Sequence, residues 1–377
     1  MNIRTLCIHG AVDKTQNTGA VVPPVYQTAT FSHPGVGQTL GYDYTRLQNP
    51  TREFLENIIT NLEHGRETMA FSSGMAAVSN FMELFEPGDE LIACEDLYGG
   101  SIRLFENISQ KNGVVIRYAK TWDLEDVSGK ITKRTKAVFV ETPTNPMMHV
   151  TDIAAVAELI KGKNILLAVD NTFLTPYFQQ PLLLGADVVI HSGTKYLGGH
   201  NDTLAGFLVA KGQLVADRLR FIYKTVGAVL SPFDSFLIAR GIKTLAVRMD
   251  KQSESAAILA EWLLGREKIK KVHFVGLPDH PDIEVTKRQS SGFGSMISFE
   301  ADSEQTVFQI LERLKLVQFA ESLGGVDSLI TYPLTQTHAD VARRQNEKNG
   351  ITDRLLRLSV GLEDVDDIIA DFTQALE

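Results

Sequence analysis

Residues 165–211 read ILLAVDNTFLTPYFQQPLLLGADVVIHSGTKYLGGHNDTLAGFLVAK. Three apolar runs in it, ILLAV, DVVI and LAGFLVA, are short, aliphatic or β-branched, and end in polar or Gly-rich residues. This pattern predicts buried strands whose ends open onto a common site. Asp170 ends the first run, and Ser192, Gly193, Thr194 and Lys195 follow the second. A carboxylate and an amine are thus carried to strand ends, where open α/β sheets bind ligands.

A free lysine is protonated at neutral pH and is a poor nucleophile unless desolvation or a neighbouring cation lowers its proton affinity. An aldehyde cofactor solves this. Pyridoxal 5'-phosphate (PLP) forms a Schiff base with a lysine and needs an acidic partner on its pyridine nitrogen to keep the ring an electron sink. Asp170 suits the partner and Lys195 the anchor, with the hydroxyls of Ser192 and Thr194 available to the phosphate. A surface lysine in a Gly loop is the bland alternative. Ser192-x-x-Lys195 also fits the S-x-x-K pattern of serine acyl hydrolases, but the S-D-N and K-T-G motifs that go with it are absent.

Outward from this stretch, Ser72-Ser73-Gly74-Met75 follows the strand-like TMAF and opens a helical pattern over 75–85. Free N–H groups and a helix dipole converge there, which suits a phosphate, although Ser also serves as a simple helix cap. It is not a Walker loop, because the lysine of that motif is missing. Asp96-Leu97-Tyr98-Gly99-Gly100 follows the strand-like ELIAC, and its paired glycines allow a tight turn that brings Tyr98 toward a ligand. Arg46, in YDYTRLQNPT (42–51), has the planar fork that matches a phosphate. Glu141-Thr142-Pro143-Thr144-Asn145-Pro146 ends the strand-like AVFVE. In RLLRLSVG (354–361) alternation puts Leu355 and Arg357 on one face, and a buried Arg357 needs a counter-charge.

In combination, VDNTFLTP, GADVVIHSGTKYLGGH, SSGMAA, DLYGG, ETPTNP and the Y-x-R-x-x-N-P-T spacing resemble the cysteine and methionine metabolism family of PLP enzymes. That family includes cystathionine γ-synthase, cystathionine β- and γ-lyases and methionine γ-lyase. The likeness runs from the N-terminal arm to Arg357. It implies the aspartate aminotransferase-like fold (PLP fold type I), an α/β chain with a large, mostly parallel-sheet domain and a smaller C-terminal α+β domain. It implies PLP as cofactor, with Gly74, Met75, Ser192 and Thr194 on the phosphate side and Lys195 as covalent anchor. Asp170 is then at the ring nitrogen, Tyr98 stacks on the ring as an acid or base, and Asn145 lies near the 3'-oxygen and the substrate carboxylate. Tyr44 and Arg46 would reach the phosphate of a neighbouring subunit in a homotetramer. Arg357 would bind the substrate α-carboxylate, and Glu321-Ser322-Leu323-Gly324-Gly325 resembles the substrate loop. Gly100 stands where methionine γ-lyases have Cys, and Glu321 suits the distal ammonium of cystathionine. The expected activity is therefore a cystathionine γ-lyase type of C–S cleavage, with β-cleavage and γ-synthesis from an O-acylhomoserine as alternatives. A ligand sensor that keeps the fold without the chemistry is disfavoured by the joint presence of Lys195, Asp170, Tyr98 and Arg357.

Composition agrees with an enzyme. At 377 residues and 44% hydrophobic the chain suits a major domain and a smaller one. A net charge of −9 argues against nucleic acid as a partner. MNIRTLCIHGAV lacks a secretory h-region, and no run is long enough to span a membrane, so a soluble, cytoplasmic protein is expected. Only Cys7 and Cys94 are present, so neither disulfides nor a Cys-based metal site is expected. The expected divisions are an extended arm over 1–48, a cofactor-binding α/β domain over 49–238 and an α+β domain over 239–377. One amphipathic helix should follow Asn49-Pro50, and a long one should span about 242–264.

Overall fold

The computed structural model describes residues 1–11, 19–339 and 341–377. Its larger sheet has seven strands: β1 (Glu67–Phe71), β2 (Glu90–Cys94), β3 (Val115–Ala119), β4 (Thr135–Glu141), β5 (Leu166–Asp170), β6 (Val188–Ser192) and β7 (Gly206–Ala210). Their order is β1-β7-β6-β5-β4-β2-β3, and only β7 runs against its neighbours. Alternate residues of each strand enter two separate cores. Leu167, Val169, Val189 and Val209 face one, and Ala168, Val188, Ile190 and Leu208 face the other. Burial on both faces explains the continuous apolar runs of the sequence.

Because β1, β2, β4, β5 and β6 are mutually parallel, their C-terminal ends lie along one edge. The smaller sheet holds β8 (Ile269–His273), β9 (Met296–Ala301), β10 (Gln318–Phe319), β11 (Leu329–Thr331) and β12 (Leu355–Ser359), ordered β10-β11-β12-β9-β8. The fold is α/β, with a mostly parallel sheet and a second, smaller one.

Four helices matter for the site: α1 (Ile3–His9), α2 (Pro50–Glu63), α3 (Gly74–Met82) and α4 (Gly99–Leu104). Helix α2 starts as the sequence predicts, with the Asn49 side chain capping Thr51 N and a proline in its first turn; Leu55, Ile58, Ile59 and Leu62 are buried. Two expectations are corrected. The segment read as an unpacked arm contains α1, capped by Asn2, whose Cys7 is 1% exposed within the core shared with α2; residues 12–18 of that arm lie outside the described residues. The long helix expected over about 242–264 is Leu245–Leu264, starting three residues later than expected because Ile242 ends a separate helix, Pro232–Ile242. The break escapes a periodicity argument because Ile242, Leu245 and Met249 all enter one core. Among the described residues no helix is long and apolar enough to cross a membrane.

Candidate active site

A cavity of about 330 Å³ lies along the C-terminal strand edge and is closed by the smaller sheet. Gly74, Met75, Tyr98, Asn145, Asp170, Ser192, Thr194, Lys195, Glu321, Ser322 and Arg357 all line it. They come from positions as far apart as 74 and 357, so the cavity is a product of topology rather than of local sequence.

One wall is the start of α3. Ser73 caps the helix through Ala76 N, while Gly74 packs against β6 so closely that a Cβ there would lie 3.0 Å from the Ser192 Cβ. The helix N-terminus and the Ser192 hydroxyl thereby face the same space, a setting made for an anion. Thr194 lines the same wall, but its hydroxyl bridges the backbone of Ala205.

At the end of β5, Asp170 Oδ1 accepts from both the backbone N–H (3.0 Å) and the hydroxyl (2.6 Å) of Thr172. The Thr172 hydroxyl oxygen also accepts the Ser192 N–H at 2.9 Å, knitting β5 to β6. Thr172 is a site residue missing from the sequence reading, and the signal for it was an Asp-x-Thr turn at a strand end. Glu141, at the end of β4, is a second. It is fully buried, accepts the Tyr98 N–H at 3.0 Å, and is pushed well up from the usual carboxylate range by burial and by Asp170. Asp170 itself is raised by burial, against the opposing pull of Thr172 and His191.

Tyr98 begins α4, its ring 39% accessible. A Cβ on Gly100 would lie 2.4 Å from that ring, and one on Gly99 would meet the Thr337 carbonyl at 2.1 Å. Backbone approach therefore requires the glycine at 99, whereas a side chain at 100 would have to displace the Tyr98 ring. Burial, and then Glu321, raise the Tyr98 pKa.

Lys195 Nζ donates to Ser322 Oγ at 2.9 Å. Burial first, and Arg357 second, bring its pKa down to about 8, so a substantial part of the amine is neutral near physiological pH. Ser322 has φ 104°, a backbone state disfavoured for any residue with a Cβ and typical of functional loops. Its carbonyl accepts from Arg357 Nη2 at 3.2 Å, so this one strained residue touches both cationic side chains.

Arg357, on β12, is 2% exposed. Nη1 donates to Asn145 Oδ1 at 2.9 Å and Nη2 to Thr331 Oγ1 at 3.1 Å, while Nε has no partner among the described residues. Burial lowers its pKa to about 10. All its bonded acceptors are neutral, and such a buried guanidinium is left short of an anion.

Tyr44 and Arg46 do not line this cavity in their own chain. Arg46 donates to the Lys224 carbonyl and lies 5.5 Å above the Tyr44 ring.

The fold and cavity define a class: an α/β protein with a lysine of depressed proton affinity, a carboxylate and an anion cradle converging at one sheet edge. Comparison with known proteins narrows it. Residues 4–377 match the family described as Cys/Met metabolism PLP-dependent enzyme. The chain is 45% identical to cystathionine gamma-lyase of Bacillus subtilis over 377 residues, covering 100% of both chains. It is 44% identical to cystathionine beta-lyase of Lactococcus lactis over 376 residues, covering 100% of this chain and 99% of that one. Its fold matches the crystal structure of cystathionine gamma synthase from Xanthomonas oryzae in complex with cystathionine with a TM-score of 0.97. That match has 38% identity and covers 100% of this chain and 98% of the other. The chain belongs to the Cys/Met metabolism family of PLP-dependent enzymes. It is an enzyme of the carbon–sulfur lyase type, and its cofactor is pyridoxal 5'-phosphate.

Proposed function

We propose that this enzyme cleaves cystathionine on its γ side, releasing cysteine, 2-oxobutanoate and ammonia. The observation that carries the reading is the pairing of Arg357 with Glu321 in one cavity. The first is a buried cation short of an anion, suited to the α-carboxylate. The second is an exposed carboxylate, suited to the distal ammonium of the same substrate, for which methionine has nothing to offer.

The donor set fits the cofactor. The α3 N-terminus with Ser192 makes a cradle for its phosphate, Tyr98 offers an accessible ring face, and Asp170 has an oxygen that takes no hydrogen bond among the described residues. When bound, PLP supplies an electron sink for charge developing at the substrate Cα. Lys195 would hold the cofactor through its aldehyde and, once the substrate amine is seated there, would carry the α-proton and then the β-proton whose removal lets the Cγ–S bond break; a pKa near 8 equips it to hold and return a proton. Asp170 keeps the ring nitrogen protonated. A positive charge opposite its open oxygen outweighs the burial that otherwise raises its pKa. Arg357 and Asn145 orient the carboxylate, and Tyr98 moves a proton at the leaving group.

The arm is proposed to complete a neighbouring subunit's site in a homotetramer. In support, Arg46 meets no anion among the described residues, and Val21 and Val36 of the same segment are almost fully exposed. The two sheets, with seven strands within 67–210 and five within 269–359, support the division into a cofactor-binding unit and a C-terminal one.

Relatives named for β-cleavage and for γ-synthesis stand at similar identity, so product analysis is the decisive test. Purified enzyme with cystathionine should yield cysteine, 2-oxobutanoate and ammonia. Homocysteine with pyruvate would establish β-cleavage. Condensation of cysteine with an O-acylhomoserine, without appreciable cystathionine cleavage, would replace the lyase reading.

A further inference from the structure

On the face of the larger sheet opposite the cavity, a second acid–base pair is wholly enclosed. Side chains alternate along β6, so Ile190 and Ser192 point with Asp170 toward the cavity, and His191 points with Val189 toward α2. There His191 Nε2 meets Glu63 Oε1, the last residue of α2, at 2.6 Å, both side chains having no exposure. The same Glu63 oxygen accepts from Asn171 Nδ2 at 3.1 Å. Glu63 thus holds the residue after Asp170 and the residue before Ser192. The remaining atoms of the pair, Glu63 Oε2 and His191 Nδ1, have no partner among the described residues.

A fully buried carboxylate needs a compensating proton or cation, and His191 is its direct partner. An arrangement that served only to fasten two strand ends would be met by amides at lower cost, as the adjoining Gln179–Asn171 contact at 2.9 Å illustrates. An imidazole and a carboxylate instead place a movable proton one residue away from each of two cavity groups. His191 also lies near enough to Asp170 for its charge to favour the ionised carboxylate. The other charged groups in this neighbourhood are Glu141 on β4, which opposes Asp170, and Arg357 on β12, which faces Glu141.

We propose that Glu63 and His191 are positioning residues, a buried carboxylate–imidazole couple that keeps Asp170 ionised and in register from behind the sheet. The proposal rests on the reading of Asp170 as the partner of the ring nitrogen. In it, Glu63 orients His191 through Nε2 and Asn171 through its amide, the couple lies directly behind Asp170, and Asp170 holds the ring proton. That ring charge in turn lowers the proton affinity of the Lys195 nitrogen bound to the cofactor.

The test uses the holoenzyme and reads the pH at which the visible band of the bound cofactor titrates. Glu63→Gln keeps an oxygen for His191 and Asn171 but removes the charge. Its band should titrate about one pH unit higher than the parent's, with kcat lowered and KM little changed. His191→Gln should move the band the same way. Should either single variant not fold, the double variant Glu63→Leu with His191→Leu removes the buried pair together and should show the same shift. Folded variants whose bands titrate as the parent's does would overturn the proposal and leave the couple a strand fastener. Asp170→Asn separates the two readings. If it shifts the band and the others do not, only the couple fails; if it too leaves the band unmoved, the reading of Asp170 fails and the proposal falls with it.

Discussion

Two arginines of this molecule, the half-buried Arg220 and the buried Arg357, are treated in opposite ways. Beside α2, Arg220 meets Glu67 at 2.6 Å and Glu56 at 3.2 Å and lies 5.0 Å from the Tyr223 ring centroid. Burial opposes its charge, but Glu56 and Glu67 outweigh burial and push its pKa up. In the cavity, Arg357 has only neutral bonded acceptors, and burial brings its pKa down to about 10. The first region contains its own counter-charges and is finished when the chain folds. The second folds with a deficit of negative charge and is finished only by what binds there. Burial without a carboxylate does not by itself mark function, since Arg248 is equally buried and bonds only Thr244, Tyr196 and Gly241 oxygens away from the cavity; what singles out Arg357 is that it also lines the cavity.

The largest way to break this contrast is Lys195→Ala. It should cost at least about 10³-fold in turnover and abolish the visible absorption of the bound cofactor, read by spectrophotometry. Next, Arg357→Lys keeps the charge but loses the planar fork. We expect kcat/KM to fall about 100-fold, chiefly through KM, in steady-state kinetics. In the other region Arg220→Ala should behave oppositely. It should lower stability by about 2 kcal/mol in denaturant titrations, a value below that of a wholly buried pair because Arg220 is 24% exposed, while kcat/KM of the folded enzyme stays level.

An acid sharpens the contrast further. Asp96 is enclosed behind the Asn145 loop, accepts the Met147 N–H, and is raised to about 7 by burial despite help from Thr144. Its folded pKa exceeds the unfolded one, so the folded state holds this proton more tightly. The stabilisation is present at low pH and is lost as pH rises through about 7. Asp96→Asn should therefore gain stability on the parent between pH 4 and 7, by at most about 1.4 kcal/mol per pH unit, and stay level above, as melting curves would show.

Much of this was legible in one dimension because strands buried on both faces leave continuous apolar runs, and the polar residues that end those runs are the ones displayed at the sheet edge. Gly74, Tyr98, Asn145, Asp170, Ser192 and Lys195 all follow this rule. Thr172 and Glu141 were less visible because their importance lies in hydrogen bonds to Ser192 and Tyr98, which are set by strand neighbours distant in sequence. The break before Leu245 and the docking of α1 were hidden for a related reason. A helix face shows that a core is present without showing which core. Tyr44 and Arg46 carry a motif whose meaning, in the proposed assembly, lies in another copy of the chain.

The position of β12 has a consequence for how the enzyme comes into being. It follows the other four strands of its sheet in the sequence, yet it lies between β9 and β11. The pair β10–β11 has no other attachment to the sheet, so it must wait for β12 to arrive and close the layer. Arg357 sits on that strand. Assembly of the half of the cavity proposed to bind a carboxylate is therefore tied to a long-range docking event in the folding of this chain. A nascent or partly folded chain would already hold its lysine and its aspartate on the larger sheet, while remaining blind to amino acids.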